Sequence, residues 1–557
     1  MKKVWLNDSD LHTDYFVNLL GDNYTLLLGS GVSIWEPSNL PSGQKITKHI
    51  LDSIVAKYSN LNDKQYSIVK DWFMELPFEV VLQRCLESDK ILDWVYSIFS
   101  KGKPNELHKA LTYLASMSTT KFIITTNYDT CIEQSLDSNE IKWNTIVKRL
   151  DAINKLEKDK EVLQVFKIHG SAELDKKDSL IYTVAQEAKL PKWKKHLLKK
   201  KVKDSNLLIV GYSGLDFEVC PEILELKPKR IIWNFLDEEN LNKSPGFQNF
   251  ILNNATPIDV VAVLGDMRIL LLKVLKEKFD CVNVQITDKE PPDFEKMREQ
   301  FKRLWASRIL QALGVGGPSA SIFRSIDPND IDNLYKYQFY KYYGRALYFK
   351  GGNSLKYAIS KFEEAIKVAP YHKKIDCHIS IVNCLIGSRD YRNANIWLNK
   401  TRKFLRYSNN NFTAQYLLSR AYLAKIYYEK LDLNINSVRA SKIRSCAKVI
   451  LEKAAILYLK TGDYSDFNTC WLLAKQMDVA LELNTKENMK PSMSGFKHLG
   501  YKLPEFIDFR ISIEKKDILN SVEINKLKKY YYQAITLGIG ECHKLEKLMR
   551  KHALLMQ

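Results

Sequence analysis

The chain has 557 residues, of which 45% are hydrophobic and 27% charged, with 29 Tyr, 23 Phe and 10 Trp. That composition excludes a disordered or fibrous chain and, by length, implies about two to four domains. The 84 Lys plus Arg against 65 Asp plus Glu leave a net charge of +19, which favours polyanionic or acidic partners without selecting one.

No apolar run approaches the ~18 residues of a membrane span, so no membrane association is expected. Residues Met1 to Asp10 turn acidic before a signal core could form, and a cytoplasmic location is expected. The nine cysteines are scattered and contain no Cys-x-x-Cys pair, which argues against both a disulfide framework and a zinc ribbon.

In chain order, the first informative stretch is Tyr24 to Ser33. The apolar Leu26–Leu28 predicts a buried strand that breaks into Gly29-Ser30-Gly31-Val32-Ser33. Two glycines there allow backbone N–H groups to approach an anion, but Ile34 stands where the dinucleotide fingerprint wants a third glycine. Helical periodicity follows from Ile46 to Tyr58 and from Ile68 to Ser100, with Pro77 as a break, and another helix opens at Pro104-Asn105.

Phe122–Ile124 predicts the next strand, with Thr125-Thr126-Asn127-Tyr128-Asp129 at its carboxyl end. The pattern recurs. Val162–Ile168 ends in His169-Gly170, Asn206–Val210 in Gly211-Tyr212-Ser213-Gly214-Leu215-Asp216, Arg230–Trp233 in Asn234, and Ile258–Leu264 in Gly265-Asp266. Helical segments separate these strands, so the prediction is an α/β domain with a Rossmann-like parallel sheet over residues 1–285. Taken singly, Asn127, Asp129, Ser213 and Asp216 could be helix caps and His169 a loop histidine.

Gly-Ser-Gly-Val-Ser, Thr-Thr-Asn-Tyr-Asp, Lys-Ile-His-Gly and Gly-Tyr-Ser-Gly-Leu-Asp, in that order at successive strand ends, resemble the sirtuin-like family. The likeness is to the bacterial branch whose members consume NAD in antiphage defence, and it covers about residues 10 to 285. The resemblance implies that Gly29, Ser30, Gly31 and Ser33 lie against the NAD phosphates. It implies that Asn127 and Asp129 hold the nicotinamide side and order the attacking water or acceptor, and that His169 is the catalytic histidine. Gly211 and Ser213 match a later phosphate and ribose turn, and Asn234 an asparagine that contacts the adenosine ribose. Deacylating sirtuins carry two Cys-x-x-Cys pairs between the histidine and the next glycine turn. This chain has no cysteine between His169 and Gly211, but a run of lysines from Lys189 to Lys203. No metal is therefore expected, water becomes the favoured acceptor, and the lysines are read as a solvated helix face, with an anion or subunit contact as the alternative.

Beyond Pro291-Pro292 strand signals fade. Phe294–Leu313 is amphipathic, Gly314–Pro328 reads as a connector, and Tyr343-Gly344, Ala358, Phe362, Ala365 and Pro370 fit a tetratricopeptide-like helix pair. A weaker copy follows at Asp390-Tyr391, Ala394 and Leu398, and Gly462-Asp463-Tyr464 resembles the same turn. Residues 286–557 are thus expected to be an all-α helical-repeat domain whose concave face holds a protein segment, with, as the alternative, an irregular helical domain that only packs against the NAD domain or mediates homo-oligomerisation. The leading expectation is an NAD+ glycohydrolase of antiphage defence, triggered when a phage protein or other infection signal meets the helical domain and ending in abortive infection. The alternatives are an NAD-dependent deacylase or ADP-ribosyl transferase, and a non-catalytic module that senses NAD or ADP-ribose or associates with nucleic acid.

Overall fold

The computed structural model describes residues 2–5, 10–76, 78–155, 162–183, 186, 190–214, 219–226, 228–244, 247, 259–275, 290–431, 437–461, 469–470, 473–474, 476–481, 509, 513, 516, 518–537, 542–552 and 554. Pro77, Lys189, Leu215, Asp216, Ile258 and the Gly462-Asp463-Tyr464 turn lie outside them. The chain divides into two compact units: Met1–His49 with Glu87–Lys296, and Ile50–Leu86 with Met297–Gln557.

The first unit is built on eight strands: β1 Lys2–Trp5, β2 Tyr24–Leu28, β3 Phe122–Thr125, β4 Trp143–Ile146, β5 Leu163–Lys167, β6 Asn206–Val210, β7 Arg230–Phe235 and β8 Asp259–Leu264. They form one sheet in the order β1-β8-β7-β6-β2-β3-β5-β4, and every pairing is parallel. The six expected strands are all present. The two that the apolar runs do not reveal, β1 and β4, are its edges. An edge strand needs less apolar character than a central one, and Trp143-Asn144-Thr145-Ile146 has only a partly buried start.

Side chains alternate between two cores, as a pleated sheet covered on both faces requires. Leu26, Leu28, Ile123, Val165, Leu208, Val210, Ile232 and Val261 pack with Phe16, Leu107, Leu111, Ile132 and Leu271 from helices on one face. Leu27, Ile124, Phe166, Leu207, Ile209, Ile231 and Trp233 pack with Leu197, Leu198, Val219 and Ile223 from helices on the other. From β2 the chain first builds outward through β3 on one side and then returns to build β6, β7 and β8 on the other. The carboxyl end of β2 is therefore the switch point where open α/β sheets bind ligands.

The second unit is helical throughout its described residues. Successive helices include Asp63–Met74, Glu299–Ala312, Gly316–Arg324, Asn333–Lys350, Ser354–Val368, Lys374–Gly387, Tyr391–Thr401, Asn410–Glu429 and Ser437–Thr461. Of the residues of the repeat pattern, Gly344, Ala358, Phe362, Ala365, Ala394 and Leu398 are buried, Tyr343, Asp390 and Tyr391 are half-buried and Pro370 is exposed. Two expectations are corrected here. Gly314–Pro328 is not a connector, because Gly316–Arg324 is a helix with Pro318 in its first turn, where no amide donor is required. Gly316 is there for space: an added Cβ would come within 2.2 Å of the Lys350 amide nitrogen. The helix Glu299–Ala312 is not amphipathic over its second half, since every residue from Leu304 to Ala312 is buried, Arg308 among them.

Candidate functional site

Register sets the site. Leu28 pairs with Val210 on one side and Thr125 on the other, and Thr125 pairs with Lys167, so β6, β2, β3 and β5 end on one level. Gly211, Gly29, Asn127 and His169 follow within two residues of that row. β7 continues it, because Trp233 pairs with Ile209 and Asn234 is the next residue.

The loops after β2 and β6 interlock. The Gly29 N–H donates to the Val210 carbonyl at 3.1 Å, the Gly31 N–H to the Gly211 carbonyl at 2.8 Å, and the Val32 N–H to the Gly29 carbonyl at 3.2 Å. A Cβ on Gly29 would lie 2.5 Å from the Gly211 oxygen, and one on Gly211, whose φ is +64°, would lie 2.6 Å from the Val32 nitrogen. Backbone meets backbone at all three glycines, which is why a side chain at any of them is excluded. The 3-10 turn Ser30–Ser33 follows, with Ser30 exposed and Ser33 buried.

Around this turn a buried polar cluster forms. Asn127 Nδ2 donates to the Gly29 carbonyl at 3.1 Å and to Ser33 Oγ at 3.3 Å, and the Asn127 N–H donates to Thr125 Oγ1 at 3.0 Å. A carbonyl can only accept, so these bonds fix which way the amide faces. Asn127 Oδ1 is left buried with no hydrogen-bond partner among the described residues. Ser33 Oγ donates to Asp129 Oδ2 at 2.9 Å, and Asp129 Oδ1 accepts the Cys131 N–H at 3.0 Å.

Two further elements hold this cluster in place. His108 Nε2 lies 3.1 Å from Ser33 Oγ, and His108 is itself anchored through a capping box with Asn105, whose Nδ2 donates to the Val32 carbonyl at 2.9 Å. Complete burial, only partly opposed by Asp129, lowers His108 to about 4, so it is neutral near pH 7. The second element is Lys167, fully buried at the end of β5. Its ammonium pairs with Glu133 at 3.0 Å and donates to the backbone carbonyls of Tyr128, at 3.4 Å, and Asp129. Burial raises Glu133, and Lys167 opposes that rise. The signal for Lys167 was in the Lys-Ile-His-Gly motif, but only the fold supplies Glu133 as its counter-charge.

His169 is buried at the same level, its ring 6.5 Å from that of Tyr128, and its carbonyl accepts the Ile181 N–H at 2.9 Å. Just before it, the Ile168 carbonyl accepts from the ammonium of Lys194. Lys194 is buried, whereas Lys192, Lys199, Lys200 and Lys203 are exposed, so the solvated-face reading of the lysine run holds for these four and not for Lys194. Ser213 is exposed and its carbonyl accepts from Ser244 Oγ at 2.8 Å. Asn234 Nδ2 donates to the carbonyls of Val263, at 3.1 Å, and Gly265, at 2.9 Å, which leaves its amide oxygen as the group it can offer. The hydrogen bonds joining Gly29, Ser33, Asn127 and Asp129 do not extend to Ser213 or Asn234.

One donor set could be read as a metal centre. Ligand atoms of His108, Asp129 and Cys131 lie within 4.8 Å of one another. Both Asp129 oxygens and the His108 ring already have protein partners, and burial followed by the Asp129 charge pushes the Cys131 thiol up, which keeps it protonated and a poor ligand. The set fits a hydrogen-bonded core better than a metal cradle.

Residues 121–225 match the family model of the SIR2-like domain. The matched stretch carries Asn127, Asp129, His169, Gly211 and Ser213, and runs from β3 through the helix after β6. A sirtuin-related NAD-binding or NAD-processing module is thereby supported. No curated protein matches the chain. Among the described residues no helix is long and apolar enough to cross a membrane.

Proposed function

We propose that the chain is an NAD+ glycohydrolase of antiphage defence, which cleaves NAD+ with water to nicotinamide, ADP-ribose and a proton when its helical unit meets an infection signal. The observation that carries this reading is Asn127 Oδ1, a buried acceptor with no hydrogen bond among the described residues, on an amide whose Nδ2 is locked by donating to two acceptors at the switch point of the sheet. An unsatisfied buried polar atom costs about 1–3 kcal/mol, which a bound hydroxyl or water recovers.

Cleavage of the C1′–N bond develops positive charge on the ribose, so the protein's task is positioning and charge stabilisation more than nucleophilic attack. Asn127 orients the water or a ribose hydroxyl through Oδ1. His169 takes the proton that the water loses. Asp129 accepts from the carboxamide, each of its engaged oxygens retaining a second lone pair. Ser30, Ser33 and the Gly211–Ser213 turn face the phosphates, and Asn234 the adenosine ribose. The absence of Cys-x-x-Cys pairs from the sequence between His169 and Gly211 supports water, rather than an acyl-lysine, as the acceptor. The helical unit, as a tetratricopeptide-like array, is assigned the trigger and homo-oligomer contacts in the cytoplasm.

The test is cellular NAD after phage challenge, with Asn127→Ala and His169→Ala alongside. NAD should collapse only in challenged cells that carry the wild type. Protection with level NAD would refute hydrolysis as the mode of action, and release of nicotinamide only in the presence of an acylated peptide would refute water as the acceptor.

A further inference from the structure

The helical unit carries nearly all of the chain's net positive charge, and the proposed hydrolysis does not use it. Residues 333–461 hold 24 Lys and Arg against 7 Asp and Glu, a net charge of +17 out of the +19 of the whole chain. Within that stretch three lysines gather around one histidine. His378, in the helix Lys374–Gly387, is 7% exposed, and its ring lies 5.1 Å from that of Trp397 and 4.8 Å from that of Phe404. The Lys400 ammonium sits 5.1 Å from the centre of the Trp397 ring, and the Lys403 ammonium 5.1 Å from the centre of the Phe404 ring. Lys374 stands one helical turn before His378 on the same face.

Among the described residues the side chains of Lys374, Lys400 and Lys403 have no ion pair and no hydrogen bond. Burial, followed by Lys403, Lys374 and Lys400, lowers His378 to about 4. The imidazole is thus an uncharged ring near pH 7, packed against two others, and the lysines supply the charge. Tyr371, whose ring lies 5.2 Å from that of Phe404, is 53% exposed and carries the row of rings out to the surface. Lys400 and Lys403 are exposed, and Lys374 is half-buried. A lone exposed lysine is ordinarily just solvated. These three differ in that they converge on one row of rings from three elements, the helices Lys374–Gly387 and Tyr391–Thr401 and the 3-10 turn Arg402–Tyr407. The only acid in those elements is Asp376, which is buried and paired with Lys341 and, at 3.2 Å, with Arg345.

We propose that this face of the helical unit binds single-stranded nucleic acid, with phosphates on Lys374, Lys400 and Lys403 and a base stacked on Tyr371. Separate ammonium groups on three elements act as point charges and suit a row of singly charged phosphates; a single multiply charged anion is better held by a planar guanidinium fork. The exposed tyrosine ring supplies a surface on which any base can stack, and single-strand sites combine such rings with a basic track. The excess of positive charge over residues 333–461 continues the track beyond these three lysines. An acidic peptide would meet the same charge but leave the ring without a role. The surface stands independently of NAD cleavage.

The experiment uses the full chain and follows the fluorescence anisotropy of labelled oligothymidylate and oligouridylate, each of about 20 nucleotides, across a salt series. Unlabelled duplex and polyglutamate serve as competitors. Wild type should bind at least one of the two strands, more weakly as salt rises. Replacing all three lysines, as Lys374→Gln with Lys400→Gln and Lys403→Gln, should weaken binding about tenfold or more. It should also flatten the slope of log affinity against log salt by about 2, at about 0.7 for each lost phosphate contact. If that variant does not fold, Lys400→Gln with Lys403→Gln, both at exposed positions, should flatten the slope by about 1.4. Tyr371→Ala should weaken binding about tenfold and leave the slope as in wild type. Absence of binding to either strand, an unaltered slope in the lysine variants, or unaltered affinity in Tyr371→Ala overturns the proposal. So does polyglutamate that competes as well per charge as the single strand, which would assign the face to an acidic protein. Duplex that competes as well per phosphate would equally overturn it, since stacking would then have no part.

Discussion

Replacing Lys167 with methionine keeps the volume and removes the charge, which makes it a direct test of how the site is held. The ammonium has three donors, and the structure uses them on Glu133 and on the carbonyls of Tyr128 and Asp129. With side chains 0% and 6% exposed, neither member of the pair is screened by water. Lys167→Met therefore strands a buried carboxylate and should cost about 3–5 kcal/mol. Replacing both, as Lys167→Met with Glu133→Leu, removes the stranded charge and leaves only two carbonyls short of a donor, for about 1–2 kcal/mol. Urea denaturation followed by circular dichroism, run on both single variants and the double, measures the coupling, expected to exceed about 2 kcal/mol. If the single costs add to within about 0.5 kcal/mol, the two groups do not neutralise one another and the clamp on the Tyr128–Asp129 backbone is refuted. The double variant should in addition release nicotinamide more slowly than wild type at the same fraction folded, since the segment carrying Asn127 and Asp129 has lost its anchor.

Asn127→Ala should leave the melting midpoint nearly unchanged, losing about 1 kcal/mol for two neutral hydrogen bonds, while nicotinamide release falls below detection; residual release at more than a few per cent would remove Asn127 from the reaction. Gly211→Ala should destabilise the α/β unit by at least about 1–2 kcal/mol, because φ is positive and the Val32 nitrogen occupies the space, and a differential thermal melt would show it. His108 lies below its unfolded value of ~6.5, at about 4, so the unfolded chain binds the proton first. Stability should be intact above pH 6.5 and fall as pH drops from 6.5 towards 4, by up to about 3 kcal/mol, with His108→Gln flattening that slope in denaturation measured across the range. A slope identical in the variant would show that His108 is not the group responsible.

The six strands with continuous apolar cores, the alternation that makes their pairing parallel, and the polar residues at their carboxyl ends were all legible in the sequence, because a strand buried on both faces must be apolar along its length. The edge strands β1 and β4 were not, since an edge tolerates polar residues. The helix Gly316–Arg324 was hidden behind glycine and proline that serve close packing and a first helical turn rather than a loop. At the site, sequence order brought forward Asn127, Asp129 and His169. It did not disclose that Asn105 and His108 buttress Ser33, that Lys194 holds the carbonyl before His169, or that Lys167 meets Glu133. Local sequence determines periodicity, turns and which residues stand at strand ends. Only the tertiary structure decides which distant charge neutralises a buried lysine, because a side chain's worth depends on what surrounds it once water has been removed.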